Sequence, residues 1–536
     1  EGDPEWQAAQ GGTSCRALLE WKRQGVWKVR VVIQGHKENK LALDGPDFQY
    51  ASDVVGMTAI RSLFMTPLKK GEAIGQLDIS TAFLQSDLFP PDAPPRYLML
   101  PDPVTGTKRY FRQLGVVYGS ASSSKRWQDT LHTWLVLPES EGGGGYKAGK
   151  NDPCLFTHER LGVSLATYVD DIALRGPRRN AEEAFAAIEA RFKCKQVHWL
   201  SQISALDHLG MTFFQDSFGT YLSMANYIDA MVVRLGIDPT FGRHEFVPMY
   251  SPITDYTPIS KVDTKWFMSA VGMIGWLAGT GRPDLKLTHS RISAYMANPC
   301  KGALKAALKA VRYCAHNKDL CLFQPYESPE TWTHYSDSDH AGNCEPAAKR
   351  RSQLGYVSIC GSCPIAWGSK ATNVNFDEPS AAMAEMSTPS RNFPKGSKAF
   401  TMDPVAHSRL KELHPDLSSG HAEIYAASVT LTEVMHLSYI LEEQGREMSM
   451  PFTIKVDNTT AIAFSKGNVR KSKLKHIDVR QQWVEWLRSR DICKLEYVDT
   501  KLNVADFYTK LLDRDRFEFL RDMQMVKGSL PAAAAA

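Results

Sequence analysis

Near position 170 two short apolar runs, Leu165-Ala166-Thr167-Tyr168-Val169 and Ile172-Ala173-Leu174, are joined by the adjacent carboxylates Asp170 and Asp171. Apolar arms around a sharp polar turn predict a β-hairpin, which would present both acids at its tip. Adjacent acids repel, so the arrangement makes most sense around a divalent cation; an ordinary Asp-Asp turn is the alternative if the pair stands alone. A third acid, Asp78, ends the apolar run Ile74-Gly75-Gln76-Leu77 and precedes a turn into Ala82-Phe83-Leu84. Taken singly, Asp78 reads as a helix N-cap before it reads as a metal ligand. If its strand neighbours the hairpin, the three carboxylates can hold two magnesium ions, which would activate a hydroxyl and stabilise a phosphate leaving group in an in-line displacement.

The C-terminal third contains a separate set of acids. Thr333-His334-Tyr335-Ser336-Asp337 opens a strand-rich segment, and Gly355-Tyr356-Val357-Ser358-Ile359 with Ile365-Ala366-Trp367 reads as the next hairpin. A helix is predicted after Ser418-Ser419, with Ala422, Ala426 and Val429 at helical spacing and Glu423 in its first turn. Phe452-Thr453-Ile454-Lys455-Val456 alternates as a strand that delivers Asp457, and Asp506 is expected at the start of a last helix. Acids at strand ends and helix starts suit metal-assisted hydrolysis of a phosphodiester. Asp339 competes with Asp337 for the first ligand position, because alternation puts both on one strand face.

The elements that position these acids must come from several domains, about two to four for a chain of 536 residues. A hydrophobic content of 43% with 23% charged residues describes a soluble globular protein. No apolar run approaches the roughly 18 residues of a membrane span. Glu1-Gly2-Asp3-Pro4 offers neither a basic nor an apolar leader segment, so the expected location is intracellular, in a cytoplasmic particle or the nucleus, with no membrane partner. A net charge of +4 permits a polyanionic partner without demanding one. Lys305, Lys309 and Arg312 recur at helical spacing, and Lys466, Arg470, Lys471, Lys473 and Lys475 crowd a short stretch; solvated faces explain most such clusters. The ten cysteines are scattered apart from Cys360-Gly361-Ser362-Cys363, which reads as a hairpin turn rather than a metal or redox site. The run Ala532 to Ala536 reads as a frayed tail.

Prolines and glycines divide the chain. Pro90-Pro91, Pro94-Pro95 and Gly142 to Gly145 mark loops in a first region, Pro248 to Pro258 precedes a helical middle, and a second break falls near Pro325 to Pro329. A polar insertion at about 373–417 contains Pro379, Pro389, Pro394 and Pro404 and reads as a surface loop or a disordered excursion. In the first region Trp27 to Ile33 alternates, with Lys28 and Arg30 on one face and Val29, Val31 and Ile33 on the other. Such a strand would pack on a core through its apolar face and offer charge to a phosphate.

Gln76 to Leu84 and Tyr168-Val169-Asp170-Asp171 resemble the first acidic motif and the Tyr-x-Asp-Asp motif of the reverse transcriptase of copia-type LTR retrotransposons. Further similarities fall in the family's order: Lys28 to Gly35 with its basic fingers strand, Tyr118-Gly119 and Arg126-Trp127 with its central motif, and Asp152 to Leu155 and His208-Leu209-Gly210 with the segments flanking the hairpin. Val271-Gly272 and Arg282-Pro283-Asp284 then resemble motifs of the helical middle. Tyr335 to Gly342, Ala422-Glu423, Val456-Asp457-Asn458, Lys475 to Asp478 and Ala505-Asp506 resemble the ribonuclease H domain attached to that polymerase.

The resemblance implies an α+β and α/β multidomain fold, a right-hand polymerase followed by a ribonuclease H-like mixed sheet with flanking helices. Fingers and palm would occupy 1–220, thumb and connection helices 221–325, the ribonuclease H-like domain 326–520, and a tail 521–536. The implied activities are RNA-directed and DNA-directed DNA polymerase and ribonuclease H on RNA/DNA hybrids. Asp78, Asp170 and Asp171 would bind metal in the polymerase site, and Asp337, Glu423, Asp457 and Asp506 in the nuclease site, with two Mg2+ ions in each and Mn2+ as the alternative ion. Phe83 would lie under the incoming sugar, where its ring would clash with a 2′-hydroxyl, core packing being the other reading; Lys28 and Arg30 would meet the triphosphate. Ser122 stands where the family has a glutamine that contacts the nucleotide, and it has less reach. His421-Ala422-Glu423-Ile424 keeps only the second acid of the family's Glu-Ala-Glu-Tyr, the one expected to bind metal. Implied partners are an RNA or DNA template with primer, RNA/DNA hybrid, deoxynucleoside triphosphates, and integrase or other products of the polyprotein. The alternative is a catalytically degenerate retroelement remnant that binds nucleic acid or has no function, a reading favoured by Ser122 and the insertion.

Overall fold

A computed structural model describes residues 13–21, 27–101, 107–238, 244–339, 351–372, 415–467 and 475–529, with isolated positions between them. The chain divides into two compact units. The first comprises Glu1–Gly56, Lys70–Trp199 and Glu443–Gly445, and the second Met57–Lys69, Leu200–Glu442 and Arg446–Ala536.

The first unit is framed, in chain order, by strands β1 (Thr13–Trp21), β2 (Trp27–Ile33), β3 (Glu72–Asp78), β4 (Arg96–Pro101) and β5 (Lys108–Gln113), helix α1 (Ser123–Val136), strands β6 (Lys147–Ala148), β7 (Leu155–His158), β8 (Val163–Tyr168) and β9 (Asp171–Pro177), helix α2 (Arg178–Arg191) and strand β10 (His198–Trp199). They form one sheet in the order β2-β1-β4-β5 and a second in the order β10-β3-β9-β8-β7-β6. The arms predicted around Asp170 are β8 and β9, and both are buried almost throughout. Continuous burial needs cover on both faces, and the amphipathic helices supply part of it: Trp127 and Leu131 of α1 and Phe185 and Ile188 of α2 share a core with Leu77, Leu165, Ile172 and Leu174. Truncating one of these to Ala would cost about 2–5 kcal/mol. Gly75 lets α2 approach the sheet, since a Cβ there would stand 2.7 Å from the Phe185 ring.

β2 alternates as expected, but its faces are used the other way round. Val29 and Val31 are 58% and 39% exposed, while Lys28 and Arg30 are half-buried. Alternation dictates which side chains share a face, not which face finds a partner. Here only Ile33 enters a small core, with Cys15 and Leu98.

The second unit carries the short helix Met57–Met65 and then strands β11 (Leu206–His208), β12 (Met211–Gln215) and β13 (Gly219–Ser223), and helices α3 (Ala225–Leu235), α4 (Lys261–Thr280), α5 (Lys286–Ser293) and α6 (Lys301–His316). Next come β14 (Leu320–Pro325), β15 (Trp332–Asp339), β16 (Gln353–Cys360), β17 (Cys363–Ala371), α7 (Pro415–Glu442), β18 (Phe452–Val456), α8 (Thr459–Ser465), α9 (Lys475–Ser489), β19 (Cys493–Tyr497), α10 (Arg514–Asp522) and β20 (Val526–Lys527). β13 pairs with β14, and β14 with β20, completing the sheet β11-β12-β13-β14-β20. The strands at 206–223 lie in the second compact unit, and Val526–Lys527 supplies the edge strand of their sheet.

The other sheet has the order β17-β16-β15-β18-β19, with β15, β16 and β17 antiparallel and β15, β18 and β19 parallel. Cys360 pairs with Cys363 across Gly361, at φ +59, so this motif is the predicted hairpin turn. Helix α7 starts at Pro415, ahead of Ser418-Ser419 and inside the expected insertion, whose residues 373–414 lie outside the described part. Arg470, Lys471, Lys473 and the alanine tail also lie outside it. Ala422–Glu442 is long and apolar enough to cross a membrane, yet 61% of that window is buried, with Ile424, Ala427, Leu431, Val434 and Leu441 at helical spacing facing the unit's interior. It is a core helix, packed on β15, β16 and β18.

Candidate active sites

The register of β3 on β9 puts Asp78 directly opposite Asp171, and Tyr168 pairs with Asp171 across the turn Val169-Asp170. All three acids therefore meet at one end of neighbouring strands. Val169 adopts φ 57, a conformation a β-branched residue rarely takes, and the turn is held from two sides. Trp127 Nε1 donates to Val169 O at 2.6 Å, and Ile79 N donates to Asp170 O at 2.8 Å. Like charges opposed on paired strands destabilise a sheet unless a cation joins them. Desolvation, reinforced by the charges of Asp170 and Asp78, pushes the Asp171 carboxyl up to about 6. Asp170 is also raised, by desolvation first, with Asp78 adding to it.

Cations approach the cluster. Lys195 Nζ stands 2.5 Å from Asp78 Oδ2 on a side chain that is 58% exposed. Lys28 favours the ionised form of Asp170, and Arg30 acts in the same sense on the Tyr118 hydroxyl, so the cationic face of β2 is turned toward the hairpin tip. The end of β2 is pinned there by backbone: Ile33 N donates to Tyr118 O at 2.8 Å and Gly35 N to Gly119 O at 3.1 Å. A Cβ at Gly35 would overlap Gly119 O, and Gly119 itself needs φ +86. Phe83 lies in a 3₁₀ turn (Ala82–Gln85) with its ring edge-on to Tyr118 at 5.5 Å, partly buried against the core. Ser122 differs from the expectation. It is fully buried at the start of α1, and its Oγ has no hydrogen-bond partner among the described residues.

In the second unit the parallel pairing of β15 with β18 brings Asp457, one residue past β18, beside Asp337. Asn458 fixes the chain after it by accepting from Thr460 N at 2.9 Å and Ala461 N at 3.2 Å. Asp506 sits in a 3₁₀ turn (Val504–Tyr508) rather than at the start of the last helix, which begins at Arg514. Asn503 caps that turn and its Nδ2 donates to Ser336 O at 3.2 Å, tying the turn to β15. Ligand oxygens of Asp337, Asp457 and Asp506 lie within 4.8 Å of one another. Glu423 reaches in from α7; it is 5% exposed, and its Oε2 has no hydrogen-bond partner among the described residues. Asp339 lies 3.9 Å from Arg291 and is outside the three-acid group, whereas the side chains of His476 and Asp478 lie outside the described part.

Burial raises Asp337 to about 6, with Asp506 and Asp457 adding to the shift against Lys510. Burial, then the charges of Asp337 and Asp457, holds Glu423 well above its ordinary range. Buried like charges need counter-charge, and sequence reasoning missed the groups that provide it. Lys510 Nζ is 3.1 Å from Asp337 Oδ1 and 2.5 Å from Asp506 Oδ1, Arg516 lies 3.2 Å from Asp506 Oδ2, and the Thr509 hydroxyl donates to Asp337 Oδ2. The available signal was the spacing of Lys510, four residues after Asp506. An all-carboxylate donor set with an orphaned oxygen fits a hard divalent ion such as Mg2+ or Mn2+.

Residues 19–250 match the family described as reverse transcriptase (RNA-dependent DNA polymerase). The chain is 25% identical over 536 residues to the retrovirus-related Pol polyprotein from transposon TNT 1-94 of Nicotiana tabacum, covering 95% of this chain and 35% of the relative. It is 25% identical over 515 residues to the corresponding polyprotein from transposon RE2 of Arabidopsis thaliana, covering 94% of this chain and 31% of the relative. The chain thus spans about a third of these relatives' length. The crystal structure of prototype foamy virus protease-reverse transcriptase aligns over 94% of this chain and 52% of its own, at 11% identity and a TM-score of 0.24, so the fold rests on the topology described above.

Proposed function

We propose that this chain, whose residues 19–250 are a reverse transcriptase domain of the kind found in copia-type transposon Pol polyproteins, copies RNA and DNA templates into DNA and removes the RNA strand of the resulting hybrid. The observation that carries the polymerase reading is the register that sets Asp78 against Asp171 with Asp170 at the adjoining tip. Magnesium held by these carboxylates would supply Lewis-acid stabilisation of the phosphate oxygens and lower the pKa of a primer 3′-hydroxyl. The chain's own part is positioning. Lys28 and Arg30 receive the triphosphate, Phe83 limits the space beside the sugar, and the Gly35–Gly119 contact keeps β2 at the proper distance. Template and primer are held mainly through phosphates, since copying must accept any sequence, and binding should weaken steeply with salt.

The nuclease reading is supported by the four acids of the second unit, whose convergence on a mixed sheet suits phosphodiester hydrolysis. Its substrate would be the RNA/DNA hybrid, told from other duplexes by minor-groove width and the 2′-hydroxyl. Deoxynucleoside triphosphates and transcript RNA are intracellular pools, so this reading places the activity in a cytoplasmic particle or the nucleus. Integrase or other polyprotein products are the further partners it proposes.

The test pairs two variants on two assays. Asp170→Asn should abolish primer extension on an RNA template with Mg2+ and leave cleavage of a labelled hybrid intact, while Glu423→Gln should do the reverse. Equal incorporation by the native chain and Asp170→Asn would end the polymerase proposal, and hybrid cleavage by Glu423→Gln would end the nuclease assignment.

A further inference from the structure

The carboxylate cluster of the second unit contains a cation of its own. Both oxygens of Asp337 are engaged, Oδ2 by the Thr509 hydroxyl and Oδ1 by Lys510 at 3.1 Å. Both oxygens of Asp506 are engaged as well, Oδ1 by Lys510 at 2.5 Å and Oδ2 by Arg516 at 3.2 Å. Glu423 Oε2, by contrast, has no hydrogen-bond partner among the described residues. The two halves of the cluster therefore differ in what an incoming ion must disturb.

We propose that Lys510 is a resident counter-cation which a divalent ion must displace from the Asp337–Asp506 pair, so that the cluster fills its two ion positions in unequal steps. The inference rests on the reading of these acids as a metal centre and adds a residue outside the ligand set that controls its occupancy. An ion held by Glu423 and Asp457 meets an orphaned oxygen and leaves the ammonium in place. An ion on the Asp337–Asp506 side competes for the same oxygens as Lys510.

Of the two cations, Lys510 is the one built to leave. Arg516 is also anchored to the backbone, donating to Thr500 O at 2.7 Å and to Lys501 O. Lys510 is 35% exposed and carries a flexible four-carbon stem. Its backbone N donates to Asp506 O at 3.0 Å, so the side chain can swing out while its base stays fixed. Once displaced, the ammonium would remain near enough to interact with a phosphate held by the second ion.

The experiment is a Mn2+ titration of the full chain in the Asp170→Asn background, which removes ions of the polymerase site. It is read by electron paramagnetic resonance of free Mn2+ and by calorimetry. With Lys510 present, two unequal binding steps are expected. Lys510→Met should tighten the weaker step by about tenfold or more and leave the tighter one unchanged. Lys510→Arg should keep the native pattern, because it keeps the charge. Lys510→Gln serves as a second neutral variant, and circular dichroism checks folding of each. In EDTA the neutral variants should melt below the native chain, and Mn2+ should close the gap. Unchanged or weaker Mn2+ binding in both neutral variants would overturn the role of Lys510. Native binding that Asp457→Asn fails to reduce would instead overturn the metal-centre reading itself.

Discussion

Replacing Glu423 by Gln should stabilise the metal-free protein while it abolishes the proposed hybrid cleavage. Glu423 is 5% exposed, has an unpartnered Oε2, and faces the charges of Asp337 and Asp457. Its carboxyl ordinarily titrates at 4.5 and is held well above that in the fold. A proton kept by the folded state and released by the unfolded one costs stability, by about 1.4 kcal/mol for each pH unit over which the two states differ. The sign follows from proton counting. Above pH 4.5 the folded state holds a proton that the unfolded state has released, so stability falls as pH rises. Gln carries no proton to lose and escapes that cost. The variant should therefore match the native chain near pH 4.5 and melt increasingly above it as pH rises, by about 2–4 °C for each kcal/mol in a cooperative unit of roughly 150–250 residues. Differential scanning calorimetry in EDTA at pH 5, 6, 7 and 8 reads the gap directly. Adding Mg2+ should reverse the order, because ion binding stabilises the native cluster more than the variant. A variant that melts below the native chain at pH 7 in EDTA, or a gap that does not change with pH, would refute the reasoning.

Gly119→Ala places a Cβ at φ +86 against the end of β2, so it should cost about 1–3 kcal/mol and lower primer extension while hybrid cleavage persists; limited proteolysis and the two assays in parallel check it. Phe83→Ala should relax discrimination against ribonucleotides by about tenfold or more while deoxynucleotide incorporation continues, and an unchanged ratio in competition assays would return Phe83 to core packing alone. Lys28→Ala and Arg30→Ala should raise KM for the triphosphate by about tenfold, the worth of one charge-assisted hydrogen bond, with less effect on template affinity. A change confined to template affinity would move both residues from the nucleotide to the duplex.

The acids were legible in the sequence because their placement is a local matter. Asp78 ends an apolar run, Asp170 and Asp171 interrupt one, and Asp457 follows one, so strand periodicity alone brings each to an edge. A buried carboxylate is also costly enough to leave a mark, since an apolar run ending in an acid needs a reason. What escaped was decided by partners distant in sequence. Alternation in β2 sets which residues share a face but not which face is inside, because the core that accepts Ile33 comes from Cys15 and Leu98 and does not reach Val29. The pairing of Gly219–Ser223 with Leu320–Pro325 is a contact no local pattern announces. Ser122 was read by its alignment with a reaching side chain, whereas the first turn of α1 buries it. The cations were hidden for a different reason. A lysine is at home on any surface, so Lys195 carries no signature until folding sets it beside Asp78, and Lys510 carries only its i,i+4 spacing from Asp506. Most acids of each cluster can thus be read from strand ends, but the cations beside them can be read only from the folded chain.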